Sequence, residues 1–158
     1  MFAYRFTIGA LQSDNQSWAR LCLPTADSRH ELRVRLCPTD AQLLATALAG
    51  LATPASRLAR LIQRLAERLD AQPQAVLLQR KSDNVIEAAL LLGTGVEAVE
   101  LPVTFGDAIL LARVNQLPIQ GDASLAPLVK PVLGAEPEQE DVELPAVFSA
   151  FLDTLGAE

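Results

Sequence analysis

The sequence predicts an α+β fold: a duplicated strand-strand-strand-helix unit with mixed or antiparallel sheets, an intervening amphipathic helix and a C-terminal tail helix. One observation is that the pattern Asp-Ala-x-Leu-Leu-Ala occurs twice, at Asp40 and at Asp107, each time after a strand-like run. Another is that hydrophobic residues recur with a period of two in some stretches and with helical spacing in others. The chain has 158 residues, of which 50% are hydrophobic, so it is long enough to bury a core.

In the first half, strands are predicted at residues 2–10, 17–23 and 31–36 from alternating apolar and polar residues. A helix then begins near Thr39 or Asp40, and Gly50 ends it. In the second half, the same patterns predict strands at residues 75–80, 85–92 and 96–101 and a helix from Thr104 or Asp107 to about 115. The two Asp-Ala-x-Leu-Leu-Ala segments therefore occupy equivalent places in a repeat.

Between the halves, residues 56–70 have the strongest helical pattern of the chain, with Ser56 as the expected N-cap. One face of this helix is apolar and consists of Leu58, Leu61, Ile62, Leu65 and Leu69. The adjacent arc carries Arg57, Arg60, Arg64 and Arg68. The arginine stripe has three interpretations: a solvated face, a partner for an acidic segment of the same or a neighbouring chain, or a nucleic-acid-binding surface.

The C-terminal part changes character after residue 126, where prolines and acidic residues become frequent. We predict a domain at residues 1–128, a linker at 129–143 and an amphipathic tail helix at 144–158. The apolar face of the tail consists of Val147, Phe148, Phe151, Leu152 and Leu155. Such a short helix is not stable alone and must dock on its own domain or on another chain, so we expect a homo-oligomer, a dimer or larger.

Composition limits the function classes. The net charge of −6 and the pI near 4.8 leave nucleic acid only weakly supported as a partner. Neither a signal peptide nor an apolar run long enough to span a bilayer is evident, so we expect no membrane association. Cys22 and Cys37 have no zinc-binding spacing, and two reduced thiols are favoured over a disulfide, as expected of a cytoplasmic protein.

The order of elements resembles the bifunctional nuclease domain family, also called domain of unknown function 151. The resemblance covers about residues 3 to 128 and rests on two blocks, LRVRLCPTDAQLLATALAGLATPASRLARLIQRLAERL and VELPVTFGDAILLARVNQLPI. Two places differ from the family. Ala55-Ser56-Arg57 stands where the family has a Thr-His-Asp segment, and Thr104-Phe105-Gly106 replaces the Arg and Ser that precede its later Asp.

The resemblance implies hydrolysis of DNA and RNA with a divalent metal, Mg²⁺ or Mn²⁺. It brings forward Asp40, Asp107 and Asp122 as catalytic carboxylates, with Asp107 and Asp122 as metal ligands. Each acid also has a plain structural interpretation, because Asp40 and Asp107 lie in first turns of helices and Asp122 lies in a turn. His30, the single imidazole, is expected to be a solvated loop residue and not a general base.

Two functions follow from the sequence. The first is a metal-dependent nuclease, which the resemblance implies. The second is a catalytically silent assembly or binding module of the same fold, which the missing Thr-His-Asp segment, the acidic pI and the unattached apolar tail favour.

Overall fold

The structure, a computed structural model, describes residues 2–13, 18–93 and 97–132 and confirms the α+β class. The strands are β1 Tyr4–Phe6, β2 Leu11–Ser13, β3 Ala19–Pro24, β4 His30–Leu36, β5 Pro73–Ser82, β6 Val85–Leu92, β7 Val99–Val103, β8 Ile119–Gly121 and β9 Val129–Pro131. The helices are α1 Pro38–Leu48, α2 Pro54–Arg68 and α3 Phe105–Asn115. The strands form a four-stranded sheet, in the order β2-β3-β4-β9, and a five-stranded sheet, in the order β1-β8-β5-β6-β7.

The duplicated unit is visible in the connectivity. The meander β2-β3-β4 is followed by α1, and the meander β5-β6-β7 is followed by α3. The five-stranded sheet is mixed because β8 pairs with β5 in parallel, whereas its other pairs are antiparallel. The four-stranded sheet is antiparallel throughout.

The prediction of one strand over residues 2–10 is wrong. β1 pairs with β8 in the five-stranded sheet, whereas β2 pairs with β3 in the four-stranded sheet, so the chain changes sheets in between. Along this crossing the chain stays bonded to β3, with Gly9 N donating to Cys22 O at 2.9 Å. A Cβ atom on Gly9 would lie 2.8 Å from both Cys22 O and Pro24 Cδ, so the close approach requires glycine here.

The helix ends need two corrections. The N-cap of α1 is Cys37, which makes no side-chain cap hydrogen bond, so neither Thr39 nor Asp40 caps this helix. Thr53, not Ser56, is the N-cap of α2, and the two side chains form a reciprocal capping box. Thr104 caps α3 by accepting a hydrogen bond from Asp107 N at 3.2 Å. Gly50, with φ of 73°, follows α1 as predicted.

A single core joins both sheets and all three helices. Its central element is α3, in which six residues are buried: Gly106, Ala108, Ile109, Leu110, Leu111 and Ala112. This helix contacts α1 and α2 as well as β5 and β6. The second Asp-Ala-x-Leu-Leu-Ala segment is therefore the centre of the fold.

The predicted boundary at residue 128 also needs correction. Val129–Pro131 pairs with β4, Lys130 opposite Glu31, so the first residues of the predicted linker belong to the sheet. The hydrophobic pattern of three residues containing a proline was too short to predict a strand. The tail helix predicted at residues 144–158 lies outside the described residues. No helix in the described part of the chain is long and apolar enough to cross a membrane.

Candidate functional site

Asp40 lies where the first turns of α1 and α3 meet. It is half-buried in the first turn of α1, and its carboxylate packs on Gly106 of α3. A Cβ atom added to Gly106 would be 2.8 Å from Asp40 Cγ and within 3.0 Å of both carboxylate oxygens. Exposed N–H groups at a helix N-terminus favour a negative charge, and an acidic residue in the first turn of α1 agrees with this rule.

Asp107 follows Gly106 directly but points to solvent. Its backbone N–H is bonded to the Thr104 side chain, so Thr104 supplies the cap, while Asp107 is the acidic residue of the first turn. The structure therefore brings Asp40 next to the residue preceding Asp107, one acid half-buried and the other exposed. The two copies of the repeated pattern therefore begin two helices whose N-termini are neighbours in the fold.

Asp122 has a different position and a structural role. It caps the short 3₁₀ turn Ala123–Leu125, and its Oδ1 accepts a hydrogen bond from Ser124 N at 2.9 Å. The Ser124 hydroxyl also donates to this oxygen and accepts a bond from Arg80 N at 2.9 Å, which ties the turn to β5. Within the described residues, no group of three or more His, Cys, Asp or Glu side chains is arranged to hold a metal ion. Of the three predicted carboxylates, Asp40 and Asp107 are therefore the two near the N-terminus of α3.

The second candidate site is the apolar face of α2, which is exposed. Its five large side chains are between 41% and 69% exposed. They are Leu58, Leu61, Ile62, Leu65 and Leu69, the residues that the sequence placed on one face. We call this surface the α2 apolar face.

The opposite side of α2 explains this exposure. The helix contacts α3 and β5. Its buried residues are Ser56 and Ala59, and the carbonyl of Ala59 accepts a hydrogen bond from Asn115 Nδ2 at 3.4 Å. Small side chains let two helices approach closely. The tertiary packing thus uses the small residues and leaves the leucines in solvent.

The arginine stripe borders the α2 apolar face, as predicted. All four side chains, Arg57, Arg60, Arg64 and Arg68, are exposed. Within the described residues none of them is in an ion pair, and Glu67 is the one acidic residue of the helix. The side chain of Arg60 also lines a cleft with Arg113, where α2 meets the C-terminal end of α3. The surface combines apolar area with four arginines that are not ion-paired to any other described residue.

A third surface was missed at the sequence level. The outer face of the four-stranded sheet carries Arg20 directly opposite Arg35 and Lys130 opposite the buried Glu31. Arg33 is on the same face and donates from Nε to Glu31 Oε1 at 2.5 Å, and Arg35 lies 4.5 Å above the Trp18 ring. The alternation of arginines with core residues in β4 was the available signal, but only the register brings them beside Arg20 and Lys130.

His30 and the two cysteines are the remaining residues that could take part in chemistry. His30 is the first residue of β4 and is exposed, and its backbone N donates to Thr25 Oγ1 at 3.2 Å. Both cysteines are free, as predicted, with Cys22 buried and Cys37 half-buried. Burial, together with the negative charge of Glu31, raises the pKa of the Cys22 thiol. A buried thiol with a raised pKa is a poor nucleophile.

Comparison with known proteins adds no family to this picture. No protein-family model matches the chain, and no curated protein matches it either.

Proposed function

We propose that this protein is an assembly module and that copies associate through the α2 apolar face. The single observation that carries the proposal is the exposure of five large apolar side chains on one face of a helix whose other side is packed. Contiguous exposed apolar surface of this kind marks interaction sites. Homo-oligomerisation, a dimer or larger, is part of this proposal, as is a cytoplasmic location.

The energetics support the proposal. Complete burial of one Leu or Ile side chain stabilises by about 1.5–3 kcal/mol, and these side chains are about half buried already. Covering the α2 apolar face therefore contributes on the order of 5 kcal/mol before the cost of association. Without a partner, this contribution is lost.

Sedimentation of the full chain tests the proposal. We expect concentration-dependent association of the wild type and a monomer for the Leu61→Gln/Leu65→Gln variant, because these substitutions remove apolar surface at the centre of α2. The matched control is Val85→Gln, since Val85 is 50% exposed but lies on β6. If the α2 variant associates as strongly as the wild type, the α2 apolar face is not the assembly surface.

A second candidate function is the metal-dependent nuclease that the resemblance implies. The observation that favours it is the contact of Asp40 with Gly106, which places two acidic residues at neighbouring helix N-termini. Asp40 and Asp107 would hold Mg²⁺ or Mn²⁺, since carboxylate oxygens are preferred ligands of these ions, and the metal would supply an activated water. The arginine stripe and the outer face of the four-stranded sheet would contact phosphates.

Cleavage of labelled single- and double-stranded DNA and RNA, with Mg²⁺, Mn²⁺ or EDTA, tests this second function. We expect activity to require the metal and to be lost in Asp40→Asn and in Asp107→Asn. The control is Asp83→Asn, because Asp83 is fully exposed in the β5–β6 turn. The absence of cleavage by the folded wild type, or equal cleavage by all variants, contradicts a nuclease that uses these carboxylates.

A further inference from the structure

The charge of this protein is divided between the described body and the C-terminal segment. All 13 Lys and Arg residues lie before residue 133, together with 12 of the 19 Asp and Glu residues. The other seven acidic residues lie in residues 133–158, which contain no Lys or Arg. They are Glu136, Glu138, Glu140, Asp141, Glu143, Asp153 and Glu158. The side-chain charge is therefore +1 for residues 1–132 and −7 for residues 133–158, which together give the net −6.

The acidity that argued against polyanion binding thus belongs to the C-terminal segment and not to the body. On the body, α2 carries four arginines and one glutamate. If two copies met through α2 alone, eight arginines would share one interface with two glutamates. Like charges brought together at an interface oppose association, so the charges disfavour a symmetric α2–α2 contact.

The C-terminal segment has the complementary pattern. Its acidic run, residues 136–143, precedes an apolar pattern at Val147, Phe148, Phe151, Leu152 and Leu155. An acidic stretch next to an apolar stripe matches a surface in which arginines border the α2 apolar face. Residues 133–143 reach up to about 36 Å when extended. This length is enough to cross from one copy to the next, because a domain of this size has a radius of gyration of about 14 Å.

We propose that residues 144–158 of a neighbouring copy occupy the α2 apolar face, with the acidic run at residues 136–143 paired to the arginine stripe. This inference rests on the proposed assembly function. If α2 holds copies together, its own tail does not fill the same surface, and the α2–α2 contact is disfavoured by charge. Exchange of C-terminal segments satisfies both conditions and gives each copy one donor segment and one acceptor surface.

Mixing two defective full-length variants tests the exchange. The acceptor-defective variant is Leu61→Gln/Leu65→Gln, and the donor-defective variant is Phe148→Gln/Phe151→Gln. We expect each variant alone to associate at least tenfold more weakly than the wild type, and we expect an equimolar mixture to regain association as mixed pairs. In a mixed pair, the intact donor segment of one variant can bind the intact acceptor surface of the other. A pair of identical variants lacks either both donor segments or both acceptor surfaces. Sedimentation with one variant labelled measures the mixed pair.

Controls and charge reversal sharpen the test. Ser149→Gln in the donor segment should leave association unchanged, because Ser149 is off the apolar face of a helix at this spacing. Arg60→Glu/Arg64→Glu should weaken association at least tenfold, and Glu140→Lys/Glu143→Lys in the partner chain should restore it. Circular dichroism and thermal melting verify that each variant is folded, which we expect because Leu61, Leu65 and the arginines are exposed.

The outcomes separate the inference from the function on which it rests. Full association of the donor-defective variant, with loss in the acceptor-defective one, overturns segment exchange but leaves α2 as the assembly surface. Full association of the acceptor-defective variant overturns both proposals. Exchange is also overturned if the wild type is monomeric and a cysteine pair cross-links within one chain. The pair is Leu61→Cys/Phe151→Cys, in a background with Cys22 and Cys37 replaced by alanine. This result would place the segment on its own α2.

Discussion

If Asp40 and Gly106 are in contact, substitutions at the two positions should be energetically coupled. If the two helix ends are independent, they should not be. In the Gly106→Ala variant, the new Cβ would lie 2.8 Å from Asp40 Cγ, and 2.9 and 3.0 Å from its two oxygens. These distances are too short for non-bonded atoms, so Asp40 must move or α3 must shift. The clashing atoms are the end of the half-buried Asp40 side chain, which can rotate aside, so the cost is at the low end of overpacking, about 1 kcal/mol. We expect the free energy of unfolding to fall by about that amount.

The same substitution should have the opposite sign in an Asp40→Ala background. Asp40→Ala removes the three atoms that lie nearest to the new Cβ, the carboxylate carbon of Asp40 and its two oxygens. The backbone of Gly106 is not in the left-handed region, so alanine fits its helical conformation and stabilises by about 0.5–1 kcal/mol over glycine. The coupling energy between the two positions is therefore about 1.5–2 kcal/mol, which is large enough to resolve in a double-mutant cycle.

Urea unfolding followed by circular dichroism on the four proteins of the cycle measures this coupling. The matched control repeats Gly106→Ala in an Asp107→Ala background, where we expect the full destabilisation to remain because Asp107 is exposed. A cost of Gly106→Ala that is equal with and without Asp40 would refute the reasoning and the adjacency of the two helix N-termini. If Gly106→Ala is coupled to Asp107 and not to Asp40, then Asp107 and not Asp40 is the acid that contacts Gly106.

Three further predictions concern caps and the buried thiol. Thr53→Ala should lower the free energy of unfolding by about 1 kcal/mol in urea titrations, because it removes the side-chain partner of Ser56 N; an unchanged midpoint would contradict the capping box. Asp122→Ala should cost about 1 kcal/mol in the same assay, because Ser124 N loses its acceptor, and this loss should be equal with Mg²⁺ and with EDTA if Asp122 only caps the turn. Burial raises the pKa of Cys22 above its ordinary value of 9.0, so the native thiol keeps its proton where the unfolded chain has lost it. The free energy of unfolding should therefore fall more between pH 8 and about pH 10 in the wild type than in Cys22→Ala, and equal slopes would show that Cys22 does not contribute.

Local patterns determined the elements of this protein. The alternation in β3 to β7 and the helical spacing in α1, α2 and α3 predicted these five strands and all three helices, because these periods follow directly from backbone geometry. β2, the first strand of the first meander, was not predicted. The capping residues Thr53 and Thr104 and the glycine after α1 lie within a few residues of the helix ends that they fix. The two free thiols followed from composition and spacing alone.

Tertiary structure decided which surfaces are covered and which acids meet. Helical spacing shows that Leu58, Leu61 and Leu65 share a face, but only the packing of Ala59 against α3 leaves that face exposed. The crossing between β1 and β2 and the addition of β9 depend on pairings between distant parts of the chain, which short alternating patterns do not encode. The repeated Asp-Ala-x-Leu-Leu-Ala pattern predicted two equivalent helices. The contact of Asp40 with Gly106 arises from the way those helices pack in three dimensions. The cap by Asp122 is local by comparison, because its carboxylate bonds Ser124 N only two residues along the chain.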